Sequence, residues 1–358
     1  MKALAIIFIL FISFSAMAKV SQCLHSHPEK NFIPKYARNF KINYYKNYKA
    51  VLVDGEAYLL STGILKCDDK VQAFIKTPVT RVAFMSTTYL PALEILHKEK
   101  SLIAFQGKEY IVSKAFKKSA LKDLSFKFNP EDLLNLKADL IMGHSSHLSD
   151  AKQKTVLNRL SLPVVMNKDF EETSPLARAE WLIFISAFYN EEDKAISVFN
   201  EIEKNYLALK KKNEASAKAK VVVGSIENGF WVTCGGKSDL SQMIKDAGGD
   251  LAYSSNDNET QSLSLEHIVK NKQEFDVWLS HNSWTSAKDR QDALLKDPRY
   301  QFIKAKSIFN NNLIRNENGA TDFWETAVQR PDWLLKDLSL LFHPEQYKGE
   351  TLKWYRKI

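Results

Sequence analysis

Two histidines close short apolar runs of the same design. Asp139-Leu-Ile-Met-Gly leads to His144 and Asp276-Val-Trp-Leu-Ser leads to His281, so in each case histidine follows aspartate by five positions. An imidazole just past a strand end can hydrogen-bond a ligand or give a lone pair to a metal, and His144 with His147 offers a pair from one loop. The residues just after the other apolar runs are hydroxyls, amides and aromatics. They are Thr87, Thr88 and Tyr89; Gln106; Ser145 beside His144; Trp231; Asn282 and Trp284 beside His281; and Trp324. Such a set suits a large, partly planar ligand, because aromatic faces give contact area at low entropy cost while amides and hydroxyls fix orientation. Catalysis has no matching pattern. HExxH, a CxxC pair, a P-loop and GxSxG are absent, and no nucleophile stands with a base and an orienting acid at recognisable spacing.

Positioning these loops requires strands that all end on one side. From Pro78 the chain alternates apolar runs with helical stretches: TRVAFM, a helix near 90–98, SLIAF, a helix near 130–136, DLIMG, a helix near 149–160 and LPVVM. That rhythm predicts a parallel sheet with both faces covered. It recurs after residue 214, with KVVVGS, a helix near 238–246, a helix near 265–270, FDVWLS, a helix near 289–295 and KSIFN. Pro130-Glu131 precedes the first Asp-to-His run as Leu265-Glu266 precedes the second, so the halves read as related units. Ligands of open α/β sheets bind beyond the carboxyl ends of the strands, which predicts a cleft shared by the two lobes.

Between the lobes lies EEDKAISVFNEIEKNYLALKKKN. Ala195, Val198, Phe199, Ile202, Tyr206 and Leu209 recur at helical spacing, with acidic residues at the start and lysines at the end. A linking helix over 190–213, with Asn190 as its N-cap, is expected to act as a rigid strut that allows only small lobe motion. Just before it, Ser174-Pro175 opens a helix that is apolar nearly all round and must be buried. The predicted division is a signal peptide over 1–18, a β-rich extension over 19–77, a first α/β lobe over 78–189, the linking helix, and a second α/β lobe over 214–358. The second lobe ends in helix interrupted before Pro331. Within the extension, Asp54-Gly55 marks a hairpin turn.

MKALAIIFILFISFSAMA carries Lys2, an apolar run and a small-x-small site, which predicts export and cleavage after Ala18. An uncleaved anchor is the rival reading, and lipidation at Cys23 is disfavoured by Gln22 before it. At 45% apolar and 26% charged the chain is an ordinary globular one, which argues against disorder. The net charge of +8 is dispersed, which suits an anionic small ligand or surface better than nucleic acid. Of the three cysteines, Cys23 and Cys67 flank the extension and could pair in an oxidising compartment, leaving Cys234 as a small packed residue or a thiol ligand.

TRVAFMSTTYLPALEIL, FNPEDLLNLKADLIMG, SPLARAEWLIFISAF with the long helix after it, GGKSDLSQMIKDAGG, SLSLEHIVKNKQEFDVWLS and RPDWLLKDLSLLFHPE together resemble the periplasmic substrate-binding proteins of ABC importers for ferric siderophores, haem and cobalamin. The resemblance spans about residues 78–345. It implies a monomeric, non-enzymatic receptor that holds an iron chelate or cobalamin between its lobes, with no cofactor of its own beyond the iron or cobalt its ligand carries. It also implies that Glu131 and Glu266, one on each lobe, dock on the inner-membrane permease. Two further readings stand beside it: a receptor for a bare divalent ion such as zinc or manganese held by His144 and His281, and a secreted α/β enzyme.

Overall fold

The computed structural model describes residues 23–24, 27–65, 67, 71–124, 130–144, 162–253, 255–270 and 273–358. The signal segment, Ser145, His147 and the helix expected near 149–160 lie outside the described residues.

The chain opens with a five-stranded sheet of β1 (Lys30–Phe32), β2 (Phe40–Tyr45), β3 (Tyr48–Val53), β4 (Glu56–Ser61) and β5 (Ala73–Lys76) in that spatial order. β3 and β4 meet at Asp54-Gly55, where both residues have positive φ, 47° and 80°, as a two-residue hairpin turn requires. One face of this sheet, with Phe40, Ile42, Val51, Tyr58 and Leu60, packs into the main core. On the other face Cys23 is disulfide-bonded to Cys67 beside Ala50 and Leu59.

The first lobe follows as β6 (Val82–Phe84), α1 (Leu90–Leu96), β7 (Leu102–Gln106), β8 (Lys122–Leu124), α2 (Pro130–Asn135), β9 (Leu140–Gly143) and β10 (Val164–Met166). Its strands lie parallel in the order β10-β9-β6-β7-β8. α3 (Pro175–Ala187) is buried almost throughout, and α4 (Glu192–Asn213) is the linking helix, about 33 Å long at ~1.5 Å per residue. The helix begins later than its sequence suggests. Asn190 turns with φ 58°, Glu191 occupies the cap position, and no side chain caps the first turn.

The second lobe contains β11 (Ala219–Val223), β12 (Ser225–Glu227), β13 (Phe230–Thr233), α5 (Asp239–Asp246), β14 (Gly249–Leu251), β15 (Gln261–Ser264), α6 (Leu265–Lys270), β16 (Glu274–Ser280), α7 (Ala287–Lys296), β17 (Lys304–Asn310), α8 (Pro331–Phe342) and β18 (Arg356–Lys357). Its main sheet runs β14-β11-β16-β17-β18, with β12, β13 and β15 forming a small antiparallel sheet. The stretch before Pro331 is turns and a short 3-10 segment at Asp322–Trp324 rather than helix.

The internal repeat is visible in both topology and hydrogen bonding. The order β7-β6-β9-β10 of the first lobe matches β14-β11-β16-β17 of the second. Asp139, entering β9, accepts from the backbone N–H of Thr80 and Arg81 at 2.8 and 2.9 Å, while Asp276 on β16 accepts from that of Lys220 at 2.8 Å. Each aspartate ties its own strand to the neighbouring central strand, and each histidine follows where that strand ends.

Candidate functional site

The carboxyl ends of β13 and β16 lie beside α3, which brings Arg178 to the same place. A cavity of about 260 Å³ opens there, lined by Thr233, Cys234, Ser238, Asp239, His281 and Trp324 among others. Its back wall depends on Gly235, since a Cβ there would lie 2.5 Å from the Glu259 carbonyl oxygen and 2.6 Å from that of Asp257. The absence of a side chain lets the 255–260 loop close against the turn that precedes α5. Ser238 caps α5 by accepting from the Ser241 N–H at 3.2 Å, which fixes the helix start at the cavity edge.

Trp324 is 53% exposed at the mouth, and its ring meets that of His281 edge-on with centroids 6.2 Å apart. Burial lowers the His281 pKa and the Glu227 carboxylate only partly opposes it, which favours the neutral imidazole. From the first lobe, the Thr87 hydroxyl reaches the Trp324 carbonyl at 3.3 Å, which closes the mouth on that side.

At the floor Arg178 of α3 spans the two lobes. It pairs with Asp239 at 2.7 Å and with Asp169, on the loop after β10, at 3.3 Å. Burial works against the guanidinium, but the two carboxylates outweigh it and its pKa is raised. Burial likewise raises the Asp169 carboxyl, with Arg178 opposing. A second clasp lies nearby: Glu325 accepts from the backbone N–H of Val112 and Ser113 at 2.7 and 2.9 Å, and burial pushes its carboxyl up to about 7 despite those two donors. The Cys234 thiol is also pushed up by burial and contacts the Ser241 hydroxyl at 3.3 Å, so it serves as a packed wall residue.

Two tryptophans expected at the cleft, Trp231 and Trp284, are core residues of the second lobe. Trp231 is fully buried, donates from Nε1 to the Val223 carbonyl at 3.1 Å and packs on Trp278. Trp284 is 6% exposed and packs edge-on against Trp278 and Tyr300. Both tryptophans build the second lobe's core because β13 and the loop after β16 turn those rings inward. Asn282 is held by Ser280 and by the Tyr300 hydroxyl at 2.9 Å, so its amide organises the loop. Tyr89 is buried against Phe84, Gln106 is buried at the end of β7, and Thr88 shares a 2.9 Å hydrogen bond with Ser86. His144 is half-buried with its ring edge-on to Phe170, centroids 5.2 Å apart. Among the described residues, no group of three His, Cys, Asp or Glu side chains converges to hold a bare ion. Arg178 carries a sequence signal of its own. Arg178 and Glu180 are the only charges in an otherwise apolar helix, and a buried charge needs partners.

Glu131 and Glu266 are both exposed in the first turn of the short helix that precedes β9 or β16. The topological match of those strands puts the two carboxylates at corresponding places on the two lobes.

Two α/β lobes joined by one long helix, with a cavity at the carboxyl ends of β13 and β16, give the chain a two-lobed architecture. Residues 82–312 match the periplasmic binding protein family, and the chain belongs to it. Its members are periplasmic binding proteins, receptors rather than enzymes. An uncharacterized lipoprotein of Methanocaldococcus jannaschii is 25% identical, over 92% of this chain and 86% of its own. Among solved structures, a possible iron-binding (periplasmic solute-binding) protein of Staphylococcus epidermidis is 17% identical, covering 75% of this chain and 100% of its own with a TM-score of 0.56. A periplasmic heme-binding protein of Roseiflexus is 15% identical, covering 74% and 98% with a TM-score of 0.53. Among the described residues no helix is long and apolar enough to cross a membrane.

Proposed function

We propose that this protein is the exported receptor of an importer for a metal chelate, taking an iron siderophore, haem or a corrinoid into the cleft and presenting it to an inner-membrane ABC permease. The observation that carries the reading is the cavity at the carboxyl ends of β13 and β16, with an exposed tryptophan and a histidine at its mouth, in a chain of this family. The enclosed volume takes only part of such a ligand, and the remainder would lie across Trp324 towards Thr87 and His144. The Roseiflexus protein, described as heme-binding, and the Staphylococcus protein, described as a possible iron-binding protein, lend support by analogy. Export rests on the apolar first 18 residues, with cleavage after Ala18. Anchoring through Cys23 conflicts with its bond to Cys67, which leaves no free thiol to acylate.

Thermal unfolding of the exported protein with ferric siderophores, haem, cobalamin and divalent metal salts tests this reading. A ligand at a hundred times its dissociation constant adds about 2.7 kcal/mol to the folded state, a clear rise in melting temperature. A rise with zinc or manganese alone would replace the chelate with a bare ion, and no rise with any of them would remove the reading.

Permease docking by Glu131 and Glu266 gives a separate expectation. Replacing both with alanine should abolish receptor-stimulated ATP hydrolysis by the reconstituted importer while chelate affinity changes by less than about two-fold, because both carboxylates are exposed away from the cavity. Unchanged stimulation would rule out the docking role.

A further inference from the structure

The lobes are tied together beside the cavity as well as joined by the linking helix. Among the described residues, six hydrogen bonds run between the second-lobe stretch 316–325 and the first lobe. The Asn316 side-chain amide donates to the carbonyls of Glu109 and Ile111 at 2.7 and 3.0 Å, and that of Asn318 donates to Glu109 at 3.3 Å. The Thr87 hydroxyl donates to the Trp324 carbonyl, and the Glu325 carboxyl group takes the backbone N–H groups of Val112 and Ser113. Lys118 adds an ion pair to Glu317 at 3.7 Å. Apart from Thr87, the first-lobe partners sit on the stretch from β7 to β8, which is built of turns and short 3-10 segments rather than regular structure. The tied stretch is also part of the cavity wall, since Phe323 and Trp324 both line it. At about 260 Å³ the cavity falls below the roughly 300–1,000 Å³ that drug-sized ligands occupy.

We infer that these bonds form a releasable clasp, which holds the empty receptor in its narrow form and must part before a ligand larger than the cavity seats in it. The inference rests on the receptor reading above for what enters, and adds how entry is controlled. Glu325 anchors the clasp, because its carboxyl is 1% exposed and meets two backbone donors at once. Burial pushes that carboxyl up to about 7, and Asp322 in its own turn and Glu94 of α1 act in the same direction. The other charged or titratable groups on the elements packed there are Glu109, Lys114, Lys117 and Lys118 of the first lobe, Arg315 and Glu317 of the tied stretch, and His281 beside Trp324. An acid that holds its proton more tightly in the clasp than in water takes up a proton as the clasp closes. Rising pH between the ordinary carboxylate range and about 7 therefore favours the parted form, and the effect levels off above that.

Cys234 allows a test without any ligand. It lines the cavity and is the one free thiol of the three cysteines, so its alkylation by iodoacetamide reports access. Asn316→Asp keeps the oxygen that accepts from the N–H groups of Asn318 and Ala320 and loses the donor to Glu109 and Ile111. Glu325→Ala removes the other anchor. In the exported protein each variant should speed Cys234 alkylation about 10-fold while the amides of β6 keep their protection against hydrogen exchange. Unchanged alkylation in both variants would overturn the clasp. So would faster alkylation accompanied by exchange across β6, since that is unfolding and not a parting beside the cavity. Hydrogen exchange of residues 109–116, corrected for the intrinsic rate, should rise about 10-fold in the wild type from about pH 6 to 8 and lose that rise in Glu325→Gln. A rise that persists in Glu325→Gln, or none in the wild type, would overturn the part assigned to Glu325. Because no ligand enters these measurements, a failure of the receptor reading and a failure of the clasp are told apart.

Discussion

Replacing Trp324 by alanine should weaken binding of the chelate about 100-fold, close to 2.7 kcal/mol, and leave the folded protein almost as stable as before. The ring is half-exposed at the cavity mouth, so truncation removes little that folding buries, and a surface change of this kind stays within about 0.5 kcal/mol. In the complex the same ring would be covered by ligand on one side and by His281 on the other, the desolvated setting in which an aromatic residue carries most of a binding energy. Trp231→Ala is the contrasting variant. Its ring fills the second lobe's core, and its loss should cost about 3–5 kcal/mol of stability, with any binding defect following from the damaged lobe. Calorimetric titration beside thermal melts separates the two. Unimpaired binding by Trp324→Ala would move the cargo away from this cavity.

The difference between those two tryptophans marks the limit of what the sequence conveys. Both stand just beyond apolar runs, and strand ends read from pattern are uncertain by a few residues. In an antiparallel strand a shift of one residue sends a side chain to the opposite face. Trp231 lies in β13, paired with Leu263 of β15, and that register turns it inward. Trp284 follows the same logic for a different reason. Its backbone carbonyl accepts from the side-chain amides of Asn310 and Asn312, which pins the loop with the ring pointing into the core. No one-dimensional pattern records such a long-range bond. His281 needed no such information, since it follows directly on the seven-residue strand β16 and its position at the carboxyl end is fixed by the strand itself.

The architecture was more legible than the site because it rests on repetition. Asp139 with His144 and Asp276 with His281 announced two copies of one unit, and the strand orders of the two lobes agree with that. The linking helix was visible from its apolar stripe. Its start lies one residue later than an Asn190 cap would put it because Asn190 adopts a left-handed turn, a conformation asparagine tolerates as readily as it caps helices. The role of the first 77 residues was not legible, and the reason is geometric. The partners of that extension lie more than a hundred positions away, on α3 and α4.

Those partners make Glu180 the residue whose loss should loosen the extension most. It is 2% exposed on α3 and accepts three backbone hydrogen bonds, from the N–H groups of Lys35, Tyr36 and Ala37 at 2.7, 2.8 and 2.8 Å. Glu172 does the same for Arg38 and Asn39 at 3.0 and 3.2 Å. The extended segment before β2 has no sheet partner at these positions, so the two carboxylates supply the acceptors a neighbouring strand would otherwise give. The same segment sends the Lys35 and Tyr36 side chains to Glu203 on the linking helix, and β2 and β3 send Tyr44 and Lys49 to Glu192 near its start. The extension thus braces the strut along its first half. Glu180→Ala strips acceptors from three donors at once. Each unpaired donor costs about 1–3 kcal/mol where water cannot reach it, and partial hydration brings the expected total to about 4 kcal/mol. Glu180→Gln keeps one acceptor oxygen and should lose roughly half as much. Urea unfolding of the three proteins, with limited proteolysis after residue 35 as a local probe, measures both effects. A loss below about 1 kcal/mol for Glu180→Ala, with no new cleavage, would mean that the strut holds its angle without the brace.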